Sequence, residues 1–379
     1  MRAVDLEQAA LEPGTKRRYK RAVAKLVDYL RVCGLRRADL RNLVAHPRAL
    51  GELVSDNVVM AGFIAHMASA RYASATAHGD VFALRSLSTC QDGSPLAPMS
   101  KYVARLLVGY GKLFPPGKGA APLAQGALIG ILDVLETTVA AQESTPAEVA
   151  AAIMAKALFS LAFTACLRCG EYSGNSLRWS DVTFSREAEE LLRELDASQS
   201  VTAAQGEAWA RARGEANGWE GVAVRITLRH TKASPTIPVD IFIYPSGSVD
   251  LPCPVSTLIA HARASKAQRA AKRSPVFSID GANGVPSGWV GATLVGLAEI
   301  VGVPPALLKR TKPHSLRKGG ATAASLGGAS EEEIKALGRW KSDAVRGYVH
   351  TAQSRMRAAQ QALAAAGRAI RRGLNVNKQ

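Results

Sequence analysis

Six residues from Arg168 onward, in the order Arg168, Lys232, His314, Arg317, Trp340 and Tyr348, have types and contexts suited to displacing a nucleic-acid phosphodiester with a tyrosine. Breaking such a bond without a metal needs a nucleophile, fixed positive charge on the non-bridging oxygens, and a proton donor for the leaving oxygen. The set contains all three kinds of group. Its densest stretch is His314-Ser-Leu-Arg317, followed by Leu337-Gly-Arg-Trp340 and then Tyr348.

Arg168 follows a nearly all-apolar run, where a charge is costly unless it meets a partner. Glu171, three residues on, is placed to hold its guanidinium, so taken alone the pair reads as a structural ion pair. His314 and Arg317 lie three apart and share a face if the segment is helical. Pro313 suits the start of that helix, whose N-terminus itself favours an anion. Lys232 falls between two β-rich runs, where a lysine is ordinarily just solvated. Trp340 and Tyr348, taken singly, read as core aromatics. It is their company that points to chemistry.

The elements that must position these groups are mostly helical. Apolar residues Tyr19, Val23, Leu26, Val27 and Leu30 recur at helical spacing, with Gly34 as the expected C-cap. Further helices are predicted over residues 55–68, 74–90 and 100–109, giving a small basic helical domain over residues 15–113 after an N-terminal tail of residues 1–14. The Pro/Gly run at residues 114–122 reads as a linker. Beyond it, helices are expected over residues 123–141 and 146–165, the second apolar on most faces and therefore central. A polar stretch at residues 185–218 places Ala188, Leu191, Leu192 and Leu195 on one helical face and reads as a helical insertion. Residues 222–231 and 236–243 are predicted as two strands, and the chain is helical again from Val255. The fold class expected is mainly α with a small antiparallel β-sheet.

Composition narrows the partner. Lys and Arg number 48 against 31 Asp and Glu, a formal charge of +17, which attracts polyanions and nucleic acid first among them. Within the first helix Lys16, Arg17, Arg18, Lys20 and Arg21 are the expected DNA-facing cations. Five cysteines, scattered and odd in number, argue against a disulfide framework and for a reducing compartment. Cys166 and Cys169 form a CxxC without the second pair that a zinc site needs, and are read as packing around Arg168. Neither a signal pattern nor a stretch of about 18 apolar residues, as a membrane span requires, is read in the sequence. An intracellular protein is expected, nuclear if its host is eukaryotic.

With these residues in view, the chain resembles the tyrosine recombinase (phage integrase) family over residues 123–363. Arg168, Lys232, His314, Arg317, Trp340 and Tyr348 match the family's six active-site positions in order and context. The Gly338-Arg-Trp-Lys-Ser-Asp-Ala344 wording is similar to recombinases of eukaryotic mobile elements such as cryptons and DIRS-like retroelements. Trp340 stands where His is commoner, and the step of eight to Tyr348 is slightly short.

The resemblance implies a two-domain DNA clamp, a helical core-binding domain with a catalytic domain, and a tail over residues 364–379. It implies attack by Tyr348 to give a 3′-phosphotyrosyl bond, Arg168 and Arg317 on the non-bridging oxygens, and Trp340 against the phosphate. Lys232 would protonate the 5′ oxygen and His314 would accept the tyrosine proton. No cofactor, ATP or metal is implied. The partners implied are double-stranded DNA and further copies of the chain, as a tetramer on paired sites, for integration or transposition. A type IB topoisomerase-like nicking enzyme and an inactive DNA-binding relative are the alternatives.

Overall fold

The computed structural model describes residues 13–34, 51–87, 98–113, 119–202, 205–216, 218–229, 231, 234, 237–246, 253–340 and 345. Lys232, Tyr348 and the C-terminal tail lie outside the described residues. The chain divides into two compact units, Met1–Gly119 and Ala120–Gln379.

The first unit is helical: α1 Pro13–Val32, α2 Gly51–Ser55, α3 Asn57–Ser69, α4 Ser74–Leu87 and α5 Lys101–Leu113. Along α1 the apolar positions Ala22, Val23, Leu26, Val27 and Leu30 are buried, while Lys16, Arg17, Arg18, Lys20 and Arg21 are exposed. Gly34 takes φ 88°, the left-handed turn that ends a helix at little steric cost in glycine. Asp56 caps α3 by accepting from the Val58 and Val59 amides at 2.7 and 3.2 Å, so the helix predicted over residues 55–68 begins at Asn57, and the short α2 ahead of it was not foreseen. Leu26, Phe63, Met67, Leu84 and Leu107 meet in this unit's core.

The second unit begins with α6 Gln125–Ala140 and α7 Pro146–Thr164, then α8 Cys169–Tyr172 and a short 3₁₀ turn at Trp179–Asp181. Next come β1 Val182–Phe184, α9 Arg186–Ala197, α10 Gly206–Ala216, β2 Val224–Leu228 and β3 Val239–Ile243. Among the described residues there follow α11 Pro254–Ala264, α12 Lys266–Ala270, α13 Ser287–Ile300, α14 Pro305–Leu308, α15 His314–Leu326 and α16 Glu331–Gly338.

Helix α7 is the centre of this unit. A reciprocal Thr145–Glu148 capping box starts it, and α6, α11 and α15 pack around its buried length. At 19 residues it is long and apolar enough to cross a membrane by composition, contrary to the sequence expectation, but its side chains form the core. Its one buried lysine, Lys156, is neutralised by Glu136 of α6 and by Glu207 of α10, the latter at 2.5 Å. That triad fastens α10, the second helix of the expected insertion, to the core helix. Ala188, Leu191, Leu192 and Leu195 are the buried face of α9.

The sheet is antiparallel with order β1-β2-β3, in register Val182↔Ile226 and Ile226↔Ile241. Val224, Ile226 and Leu228 face the core, as the period of two demands. Both predicted strands are present but shorter than expected, and β1 was not foreseen. On α11, buried His261 stacks on Phe277 at 5.5 Å between ring centroids, and one of its ring nitrogens is 2.7 Å from the Val276 carbonyl.

Candidate active site

Three chain segments of the second unit converge at the C-terminal end of α7. The first is the turn after that helix. Cys166 adopts a left-handed φ of 47°, and the Leu167 amide reaches back to the Ala162 carbonyl at 3.0 Å. The chain thereby turns sharply and delivers Arg168 as the cap of α8. Glu171, one turn on, is buried; its Oε1 accepts from Arg168 Nη1 and its Oε2 from the Arg168 main-chain amide, both at 2.9 Å. The Arg168 side chain keeps 22% of its surface exposed, so it is fixed at one end and open at the other.

The second segment is the start of α15. Arg317 is 0% exposed, and its guanidinium donates through Nη1 to the Cys166 carbonyl and through Nη2 to the Gly338 carbonyl at 2.5 Å. Two glycines make this approach sterically feasible. A Cβ on Gly319 would run into the Leu123 carbonyl and the Phe163 ring, and one on Gly320 into the Phe163 carbonyl. Hence Gly319-Gly320 lets α15 lie directly against the end of α7, bringing Arg317 to Cys166.

The third is the end of α16. Arg339 takes φ 57° and ψ 45°, and the Trp340 amide bonds back to the Lys335 carbonyl at 3.0 Å, closing a left-handed helix cap. Gly338 leaves room for the indole of Trp340, whose ring a Cβ there would strike. Trp340 then lies over Arg317, with the guanidinium carbon 4.1 Å from the ring centroid. Cys166, Ala321, Ile334, Trp340 and Val345 form a small apolar cluster around this contact.

Electrostatics follow from the geometry. Burial first, then the charges of Arg168 and Arg339, lowers the Arg317 pKa to about 10, so the group remains cationic at neutral pH. His314, at the first turn of α15, is pulled down to about 4 by burial and by Arg317, Lys318 and Arg168. It is therefore neutral in the resting protein. Burial pushes the Cys166 thiol up to about 11 despite Arg317 and Arg339, so it carries no charge either. The result is a pocket of fixed guanidinium charge around one carboxylate, which suits an oxyanion or a phosphate. In this conformation Arg168 is the guanidinium that can reach such a ligand directly, whereas Arg317 acts through its charge.

Of the residues singled out in the sequence, Arg168, Glu171, His314, Arg317 and Trp340 belong to this locus. Lys232 and Tyr348 lie outside the described residues, and Lys16, Arg17, Arg18, Lys20 and Arg21 belong to the first unit. Sequence reasoning missed Arg339, whose Nη2 is 2.9 Å from Glu171 Oε2. Its one signal was a basic residue directly before Trp340 at a helix end. Among the described residues no cluster of His, Cys, Asp or Glu has the makings of a metal site.

No protein-family model matches the sequence, and neither does any curated protein. Solved structures do. A XerA recombinase is similar over 90% of this chain and 98% of its own, at 12% identity and a TM-score of 0.40. A XerH site-specific recombinase, bound to its palindromic difH substrate after cleavage, is similar over 80% and 69%, at 13% identity and a TM-score of 0.48. The Tn1549 transposon integrase, in complex with transposon right-end DNA, is similar over 90% and 99%, at 9% identity and a TM-score of 0.42.

Proposed function

We propose that this chain cuts and rejoins double-stranded DNA as a tyrosine-type site-specific recombinase, serving DNA integration or transposition. What supports the reading is the meeting of Arg168, Arg317 and Arg339 around Glu171, beside a neutral His314. Such a cluster is costly to assemble in a buried place, and a phosphodiester is the ligand that repays it.

In the proposed reaction the hydroxyl oxygen of Tyr348 attacks the scissile phosphorus, forming the Oη–P bond as the bond from phosphorus to the 5′ oxygen breaks. The tyrosine proton passes to His314, and Lys232 donates a proton to the departing 5′ oxygen. His314 starts neutral and so can take up a proton. An incoming phosphate anion would raise its proton affinity. Arg168 holds a non-bridging oxygen, and Arg317 adds charge from beneath Trp340. Attack by the 5′-hydroxyl of a second strand reverses these bond changes, so religation draws on the phosphotyrosyl bond itself, and exchange pairs DNA sites on several copies of the chain.

A nicked suicide DNA substrate tests this. The wild-type protein should form a covalent adduct that survives denaturing electrophoresis, and Tyr348→Phe should bind the same DNA and form none. An adduct that persists in Tyr348→Phe, or its absence from the wild type, would overturn the assignment.

A further inference from the structure

Arg339 is not among the six positions from which the chemistry was read, yet its side chain is 10% exposed and ends on the same carboxylate as Arg168. Nη2 donates to Glu171 Oε2 at 2.9 Å and to the Cys166 carbonyl at 3.4 Å; Nη1 donates to the Leu337 and Ala165 carbonyls at 3.0 and 3.3 Å. The backbone at this position does not explain the residue. A left-handed cap at φ 57° is ordinarily glycine or asparagine, and any larger side chain there is strained. The choice of arginine therefore rests on its guanidinium.

Glu171 offers one oxygen to Arg168 and the other to Arg339, so the two guanidinium groups are braced by a shared buried carboxylate. Arg317 sits close enough that both of the others depress its proton affinity. Three guanidinium charges here face one carboxylate, and Lys318 is also near enough to act on His314, so the locus is net positive. A phosphodiester carries one negative charge, and the five-coordinate species formed when an anionic oxygen attacks it carries two. Positive charge fixed here gains more from that second negative charge than from the bound substrate, which is the condition for accelerating the step.

We propose that Arg339 is the third guanidinium of the active site, a positioning residue that acts through Glu171 on Arg168 and adds to the positive charge that meets the transition state. The proposal rests on the strand-transfer reading above. Without Arg339 one of these charges and one brace of Glu171 are gone, and part of the preference for the transition state goes with them. Binding of DNA, spread over many other cations, is hardly touched.

Three variants and two readouts test it. Arg339→Gln is expected to slow single-turnover formation of the covalent adduct by about 10- to 100-fold, as losing a hydrogen bond to a charged group does, while half-saturation in a gel shift moves by less than about threefold. Arg339→Lys should recover part of the rate. Arg339→Gly keeps the left-handed cap, which glycine adopts without strain, and removes the guanidinium, so it should still cleave slowly, separating the helix cap from the charge. The second readout is the rise in melting temperature with inorganic orthovanadate, which adopts five-coordinate geometry; it should be seen in the wild type and be diminished in Arg339→Gln. Adduct formation at the wild-type rate in Arg339→Gln or Arg339→Gly overturns the proposal, as does a rate loss that merely tracks lost stability. If the wild type forms no adduct at all, the strand-transfer reading fails. The vanadate arm then decides alone: a shift lost in Arg339→Gln supports the third guanidinium, and an undiminished shift, or none in either protein, overturns it.

Discussion

The guanidinium of Arg317 lies under the indole of Trp340, 4.1 Å from the ring centroid, in a place with no exposed surface of its own. Each residue explains the other. A buried cation needs acceptors and a polarisable lid, and Trp340 supplies the lid while the Cys166 and Gly338 carbonyls supply the acceptors. Trp340 in turn can fold back only because Gly338 has no side chain.

Trp340→Ala should therefore destabilise the protein by about 3–5 kcal/mol, the usual cost of deleting a large buried aromatic. Trp340→Phe, which keeps a ring over the cation, should lose less. Urea unfolding of the three proteins checks this, and a Trp340→Ala variant within about 0.5 kcal/mol of the wild type would show that the ring does not cover Arg317 in solution.

Much of the frame was legible in the sequence, because helices write their period into it. The apolar face of α9 was read residue for residue, and that of α1 nearly so: Val23, Leu26, Val27 and Leu30 are buried as expected, Tyr19 is only partly buried, and buried Ala22 was missed. Glu171 was found as the partner of Arg168 because three residues separate them. What stayed hidden depends on residues distant in sequence. Strand β1 has three residues, too few to show alternation, and becomes a strand only by pairing Val182 with Ile226. Arg339 was missed because what distinguishes it is Glu171, far back in the chain, which holds it. Gly319 and Gly320 acquire meaning only from the Leu123 and Phe163 carbonyls against them.

That last relationship gives a steric prediction. Gly320→Ala places a methyl against the main chain of Phe163 and the sulfur of Cys166, neither of which can rotate away cheaply. A loss of about 1–3 kcal/mol is expected, typical of overpacking a tight contact. Because α15 must shift outward, adduct formation should fall as well. Equal unfolding midpoints for Gly320→Ala and the wild type would mean that α15 does not rest on α7 as described.

Acid should destabilise the fold through its histidines. Burial holds His261 at about 4, below its ordinary value of 6.5, although its hydrogen bond to Val276 opposes the shift. Between those values the unfolded chain binds the proton and the folded one does not, so unfolding becomes easier as pH falls. The contribution is intact above about pH 6.5 and is lost by about pH 4, amounting to roughly 3 kcal/mol at 1.36 kcal/mol per pH unit. His314, also lowered to about 4, acts in the same direction. Unfolding free energies measured from pH 7 to 4 should fall, and the fall should shrink in His261→Phe. An unchanged slope in that variant would rule out His261 as the source.

Lys232 gives the sharpest test of proton transfer, and the motive is its place in the sequence between β2 and β3. If it protonates the leaving 5′ oxygen, Lys232→Ala should cleave ordinary DNA about 10²- to 10⁴-fold more slowly, the range typical of general acid catalysis. Sulfur in place of that bridging oxygen leaves well without a proton. On such a substrate the variant should regain a rate near that of the wild type, because the step for which lysine was needed has been removed. Should Lys232 instead only position the phosphate, its loss would impair both substrates alike, since the geometry of attack does not depend on which atom departs. Single-turnover cleavage of the two DNAs by Lys232→Ala separates these roles, and equal impairment on both would assign the proton to another group.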